Sequence, residues 1–250
     1  MKHALVTGAG SGIGAAIARS LLDQGFHVSL LGRRLEALQA TVAEHTGGHH
    51  CASCDVTDPE QVSAAFAGAS EALGPIDILV NCAGAAPTSP FHKMPAGQWQ
   101  QVMDVNLNAV YHCCAQVVGD MRSRGWGRII NIASTASLKG YAYVSAYCAA
   151  KHGVLGLTRA LALELAKSGV TVNAICPGYT DTDIIRTAIA GIVEKTGRTE
   201  AEALRTFTDT NPQGRLIEPG EVAATALWLC TDSARSITGQ ALSISGGETG

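Results

Sequence analysis

Thr7-Gly8-Ala9-Gly10-Ser11-Gly12-Ile13-Gly14 closes the apolar run HALVT (3–7) and opens the helical pattern AAIARSLLDQG (15–25), which stops on a glycine. A turn this rich in glycine serves two needs: some positions require positive φ, and a side chain would hold the backbone away from a diphosphate. The helix that follows offers free N–H groups and the positive end of its dipole to an anion. Strand before and helix after are the context that gives such a motif meaning. Two registers fit, Gly10-x-Gly12-x-x-Ala15 and Gly8-x-x-x-Gly12-x-Gly14. The second is preferred because Gly8 directly follows the strand.

Beyond the turn, apolar runs of strand length alternate with helical stretches. HALVT, HVSLLG, HHCASCDV, IDILVN, GRIINIAS, VTVNAICP and QALSIS are seven candidate strands. Helical spacing predicts segments near 13–24, 34–45, 58–73, 98–123, 145–167, 183–195 and 219–230. Nearly continuous apolar strands must be covered on both faces, so the expectation is an α/β fold: one doubly wound, seven-stranded parallel sheet between two helical layers. No composition break or linker divides the chain, which predicts a single domain over 1–250. The connection from Pro177 to Pro219, with its charged stretch TGRTEAEALRTF, breaks the rhythm and reads as a lid over a site.

The 250 residues are 46% hydrophobic and 16% charged, which supports a sizeable core, and the formal charge of -3 argues against a nucleic-acid partner. With no secretory leader and no apolar run of membrane-spanning length, a cytoplasmic protein without membrane partners is expected. The eight cysteines are scattered through apolar segments and read as reduced, buried thiols rather than a disulfide framework. His49, His50, Cys51 and Cys54 are the one group resembling a metal cluster. A second Cys-x-x-Cys is missing, so no metal is expected.

The second strand ends at Leu31-Gly32-Arg33-Arg34, where an acid would accept hydrogen bonds from the ribose of NAD. Arg33 instead offers a planar, permanently charged fork to a 2′-phosphate, so NADP(H) is favoured and NAD(H) is the alternative. Farther on, Tyr147 and Lys151 form the one Tyr-x-x-x-Lys, within SAYCAAKHG. Four residues apart on a helix, they share a face. A phenol with an ordinary pKa of about 10 is a poor base at neutral pH, and a nearby ammonium favours phenolate. Ser134, just after the fifth strand, stands at the carboxyl edge of the sheet, where a hydroxyl can donate to an oxygen that is gaining negative charge. Capping a local helix is its other reading.

The glycine turn Gly8–Gly14, Asn81-Cys82-Ala83-Gly84, Asn106, Ser134, Tyr147/Lys151 and Pro177-Gly178 follow one another in the order and spacing of the classical short-chain dehydrogenases/reductases, and the resemblance spans essentially the whole chain. It implies a Rossmann-type fold, with 1–95 mainly the cofactor-binding half, and hydride transfer between a nicotinamide cofactor and a carbonyl or secondary alcohol. It further implies that Tyr147 is the acid in reduction and the base in oxidation, that Lys151 lowers its pKa and holds the nicotinamide ribose, and that Ser134 orients the substrate oxygen. Asn106 would bind a water leading from Lys151 to solvent, or else satisfy a helix irregularity. Gly8, Ser11, Gly12, Ile13 and Gly14 would meet the diphosphate side and Asp55 and Val56 the adenine. Asn81, Ala83 and Gly84 would line the ribose, and Pro177, Gly178, Thr180 and Thr182 the carboxamide and diphosphate. Cys82 departs from the family's second Asn, at little cost if the backbone makes the contacts. A homotetramer is expected by analogy, through the helix near 219–230 and the last strand.

GRIINIAS, AYCAAKHG and SGVTVNAICPGY are similar to the 3-hydroxybutyrate dehydrogenase branch. Where that branch holds a carboxylate with Gln, His and Lys, this chain has Ala86, Ala136 and Val144. An unpaired buried carboxylate is costly, so the pocket should be apolar. Ala85, Ala86, Pro87, Ala136, Leu138, Tyr143, Val144, Tyr179, Ile184 and Ile185 are its expected lining, some of them simple core. His92 and Lys93 read as a solvated loop, with an anionic carrier as the alternative contact. Three functions follow: a 3-oxoacyl-thioester reductase, a dehydrogenase for hydrophobic or aromatic secondary alcohols, and, least favoured, an NADP-binding sensor without turnover.

Overall fold

The computed structural model describes residues 1–249. Seven parallel strands form one sheet: β1 His3–Thr7, β2 His27–Gly32, β3 His49–Ser53, β4 Ile76–Asn81, β5 Gly127–Ile132, β6 Val170–Pro177 and β7 Ala241–Ile244, in the order β3-β2-β1-β4-β5-β6-β7. Helices cover both faces, as the apolar strands require. In β1, Ala4 and Val6 face one cluster and Leu5 the other. In β5, Ile130 and Ile132 oppose Ile129.

One layer contains α1 (Gly12–Asp23), α2 (Leu35–Thr41) and, near the end of the chain, a helix at Pro219–Leu229. Their residues Ile17, Leu21, Leu38, Val222 and Leu229 pack on that face. The other layer is α3 (Pro59–Leu73), α4 (Ala96–Met103), α5 (Ala109–Arg124) and α6 (Ser145–Glu164). Phe66, Val117, Met121 and Val154 fill its core. At roughly 25 cal/mol per Å2, burial on both faces is the dominant favourable term.

The structure departs from the sequence reading in several places. The third strand ends at Ser53, leaving Cys54 buried just beyond it, and the second helix is only Leu35–Thr41. The long helix predicted at 98–123 is interrupted by a π-helical turn, Asp104–Asn108. Within the Pro177–Pro219 connection, α7 (Asp183–Thr196) is followed by a second helix, α8 (Glu200–Thr208), in the stretch read as irregular. Its start is fixed by a capping box, Thr199 with Glu202. The helix at Pro219–Leu229 is thus α9.

Ile185, Ile189 and Ala203 form a small core between α7 and α8, so Ile185 is a packing residue rather than lining. The two ends of this connection are pinned together: Ile217 N–H donates to Tyr179 O at 2.8 Å and Asp181 N–H to Ile217 O at 2.9 Å. The eight cysteines form no disulfide, and five are buried. Among the described residues, no helix is long and apolar enough to cross a membrane.

Candidate active site

Strand order reverses between β1 and β4, which opens a crevice at their carboxyl ends. The glycine turn leaves β1 there, and Asn81–Gly84 leaves β4. Thr7 joins the two: its Oγ1 accepts from Cys82 N at 3.0 Å and Ala83 N at 3.2 Å. Sequence reading quoted Thr7 as the start of the turn but missed this clasp. Cys82 enters it through its backbone, as expected for that substitution.

Each glycine of the preferred register has a steric reason. Gly8 has φ +67°, and a Cβ on it would stand 2.9 Å from Ala83 Cα. Gly12 has φ +52°, and a Cβ on it would stand 2.9 Å from Thr182 Cγ2, while a Cβ on Gly14 would collide with Gly8 O. Ser11 precedes α1 in extended conformation without capping it through its side chain, and the first turn has no acid. The N–H groups of Gly12, Ile13 and Gly14 therefore sit at an uncapped helix start with Thr182 across from them. This fits the diphosphate of a dinucleotide.

Arg33 and Arg34 are exposed at the end of β2, and among the described residues neither side chain pairs with a carboxylate. Asp55 lies beyond β3, one oxygen accepting from Thr57 N at 3.0 Å and Thr57 Oγ1 at 2.8 Å; Val56 beside it is buried. The Asn81 side chain points inward, donating to Asn131 Oδ1 at 2.8 Å. Its amide thus belongs to the sheet and only its backbone borders the crevice. Ala83 is half-buried and Gly84 exposed.

Across the crevice, α6 presents Tyr147 and Lys151. The Ser134 hydroxyl lies close enough to the Tyr147 phenol to lower its pKa, and it caps a short turn by accepting from Ala136 N at 3.1 Å. The capping reading of Ser134 is thus observed. Lys151 is 4% exposed; its Nζ donates to Ile132 O at 2.8 Å and lies 5.7 Å from the Tyr147 ring centroid. Burial pushes its pKa down to about 8, with the Cys82 and Cys176 thiols opposing the fall.

The phenol differs from expectation. Burial pushes the Tyr147 pKa up to about 12, and the Ser134 hydroxyl only partly opposes it. In the protein's own field desolvation dominates, and the fold alone does not bring Tyr147 into the neutral range.

Asn106 lies in the π turn, fully buried. Its Oδ1 accepts from Ala85 N at 3.2 Å, while Nδ2 donates to Ala85 O at 2.8 Å and Val102 O at 2.9 Å. The amide therefore serves the helix irregularity and holds the loop after β4. A Cβ on Gly84 would stand 2.8 Å from Asn106 Oδ1 and 3.8 Å from Lys151 Nζ, so Gly84 keeps the space between those groups clear. At the end of β6, Pro177 is buried, Gly178 N–H donates to Ile244 O at 2.9 Å, and Thr180 donates to Gly178 O at 3.0 Å.

The expected lining is uneven. Ala85, Ala86 and Pro87 are exposed and Val144 is half-buried. Leu138 and Ile184 are exposed, whereas Ala136 is buried at 3%. Tyr143 is 65% exposed and has φ +67°, strained for a residue with a side chain; its carbonyl accepts from Ser89 N at 2.8 Å. Tyr179 packs edge-on to Phe207 at 5.0 Å and Tyr141 at 6.2 Å, linking the α7–α8 segment to the turn after Ser134. His92 and Lys93 are exposed in a short turn at Phe91–Lys93. His49, His50 and Cys51 lie on β3, and among the described residues no group of His, Cys, Asp or Glu could hold a metal ion.

The chain is similar throughout its length to several dehydrogenases and reductases. It is 39% identical to the D-beta-hydroxybutyrate dehydrogenase of Rhizobium meliloti, covering 99% of this chain and 98% of that protein. It is 42% identical to the granaticin polyketide synthase putative ketoacyl reductase 1 of Streptomyces violaceoruber, covering 98% and 92%. A crystal structure of an actinorhodin polyketide ketoreductase with NADPH superposes with a TM-score of 0.94 at 38% identity, covering 99% and 97%. A family model described as short chain dehydrogenase matches residues 2–192. The chain belongs to the short-chain dehydrogenase family, and is an oxidoreductase that uses a nicotinamide cofactor to interconvert a ketone and a secondary alcohol.

Proposed function

We propose that the chain is an NADPH-dependent reductase of 3-oxoacyl thioesters, whose acyl part rests on apolar residues while the polar carrier stays outside. The observation that carries the reading is Ser134, close enough to Tyr147 to lower its pKa, together with the buried Lys151 at the carboxyl edge of β5. A phenol pushed up to about 12 is protonated at neutral pH and so carries the proton that a reduction would transfer.

In this scheme Ser134 donates a hydrogen bond to the substrate oxygen, and Tyr147 transfers its proton to that oxygen as negative charge builds there. Lys151 favours the phenolate left behind and holds the nicotinamide ribose, while Asn106 fixes the loop at Ala85. Gly8, Ser11, Gly12, Ile13, Gly14 and Thr182 would hold the diphosphate, and Asp55 and Val56 the adenine. The backbone of Asn81, Ala83 and Gly84 would border the ribose; Pro177, Gly178 and Thr180 would meet the nicotinamide end. Arg33, exposed and unpaired with acids, would take the 2′-phosphate of NADP. The bound cofactor supplies the hydride.

Residues 1–95 form mainly the cofactor-binding half of a single 1–250 domain, with 177–219 as its lid, pinned at Tyr179 and Ile217. A homotetramer is supported by the unpaired outer edge of β7 and by Trp228, 41% exposed on α9, although that helix turns Val222, Ala226 and Leu229 into the chain's own core.

The ketoacyl reductases among its relatives support the thioester class. Free hydroxybutyrate is disfavoured because Ala86, Ala136 and Val144 offer a carboxylate no partner. The aromatic cluster of Tyr141, Tyr179 and Phe207 favours a second reading, the reduction of hydrophobic or aryl ketones. Parallel assays of acetoacetyl-CoA, 3-hydroxybutyrate and 1-tetralone with both coenzymes decide between them. We expect the highest kcat/KM for the thioester with NADPH; equal rates on thioester and tetralone would defeat the thioester preference.

A further inference from the structure

The segment after β7 carries a carboxylate that the reaction scheme leaves without a role. Glu248 follows two glycines, yet its side chain is only 2% exposed. Its Oε1 faces two donors, Lys139 Nζ at 3.0 Å and the Tyr141 hydroxyl at 2.5 Å. That same phenol oxygen lies 2.7 Å from Thr135 Oγ1. A phenol has one proton to give, and the carboxylate can only accept, so Tyr141 donates to Glu248 and Thr135 donates to Tyr141. The result is a directed chain, from Thr135 through Tyr141 to Glu248, that begins on the residue next to Ser134.

The same carboxylate reaches two further elements. Lys139 belongs to the turn after Ser134, its N–H donating to Thr135 O at 3.1 Å, and its ammonium lies 5.0 Å from the Tyr141 ring centroid. Glu248 Oε2 stands 3.2 Å from where a Cβ on Gly178 would be, so the side chain also abuts the exit of β6. Tyr141 in turn packs edge-on against Tyr179 at the base of the α7–α8 segment. One buried carboxylate thus joins the C-terminal segment, the Ser134 turn and the β6 exit.

We propose that Glu248 is a positioning residue: accepting from Tyr141 and Lys139, it locks the 135–141 turn and so sets the pose in which a ketone meets Ser134 and Tyr147, including which face is presented. This rests on the ketone-reductase reading. It assigns Glu248, Tyr141 and Lys139 a shared part in stereochemical outcome rather than in proton transfer.

Glu248→Gln keeps the shape and removes the charge. With 1-tetralone and NADPH as probe, the expected result is a roughly tenfold loss in kcat/KM, chiefly through KM, the scale of one charge-assisted hydrogen bond. The enantiomer ratio of the alcohol should move toward racemic. Tyr141→Phe should match it, and the double variant should be little worse than either single one, since the two act as one unit. NADPH affinity, read by fluorescence, should be unchanged.

Hydrogen exchange supplies a readout independent of turnover: amides of 135–144 should exchange faster in Glu248→Gln, and those of 8–20 should not. Unchanged exchange at 135–144, or an unchanged enantiomer ratio despite a lowered melting temperature, would overturn the proposal. Loss of wild-type turnover in Tyr147→Phe is the separate control for the reductase reading, which stands or falls without Glu248.

Discussion

The glycine turn and the walls of the substrate side face each other across one crevice, yet they are built from different materials. At Gly8, Gly12 and Gly14 the working surface is backbone, and each glycine is fixed by what a Cβ would strike. On the other side, the residues proposed to line the substrate are side chains of mixed exposure: Leu138 and Tyr143 exposed, Val144 and Tyr179 half-buried. Backbone sterics leave a legible trace in a sequence because few residues satisfy them. A side-chain wall leaves little trace, since many apolar residues fill the same space.

The sharpest way to break this comparison is to remove the acid and leave everything else. Tyr147→Phe should lower kcat by about 10²–10⁴-fold, the usual scale of general acid catalysis, while NADPH titration stays as in the wild type. If NADPH binding is lost too, the two sides of the crevice are not separable as described.

Lys151 tests the cost of the side-chain region. Its pKa in the fold is about 8, below the ordinary 10.5, so between those values the unfolded chain binds a proton that the folded chain does not. Stability therefore rises with pH through that window, and at pH 7 the buried charge costs on the order of 3 kcal/mol. Lys151→Met should raise the melting temperature at pH 7 and abolish turnover, and its stability advantage should shrink as the pH approaches 10. A lower melting temperature across the range would contradict the burial argument.

Gly14→Ala moves the challenge to the backbone side. The added Cβ collides with Gly8 O, so stability should fall by about 1–3 kcal/mol and NADPH affinity with it. Thermal melts and NADPH titration read both. Smallest is Arg33→Asp: removing one charge-assisted contact should shift the NADPH/NADH ratio of kcat/KM toward NADH by roughly tenfold. An unchanged ratio would remove Arg33 from the cofactor argument.

How much was legible follows the same division. The seven strands were readable because residues such as Leu5, Ile78 and Ile129 are buried and their runs nearly uninterrupted. Tyr147, Lys151 and Ser134 stood out through spacing and through position at a strand end. α8 was missed because its sequence is charged, although Thr199 and Glu202 were its visible signature. The π turn was legible only as the second reading of Asn106, a helix irregularity; DVNLN itself does not announce the extra residue that Asn106 serves by bonding Val102 O and Ala85. Tyr141 and Glu248 are 107 residues apart, and no local pattern reports such a pair.

The parallel bridge in which Ile217 donates to Tyr179 O and accepts from Asp181 N gives the α7–α8 insertion a self-closed neck. A graft of residues 183–216 would replace α7 and α8 while leaving that bridge, Thr180 and Thr182 in place. If 177–219 is the lid proposed above, substrate range should follow such a cassette, while Tyr147 and the glycine turn stay as they are.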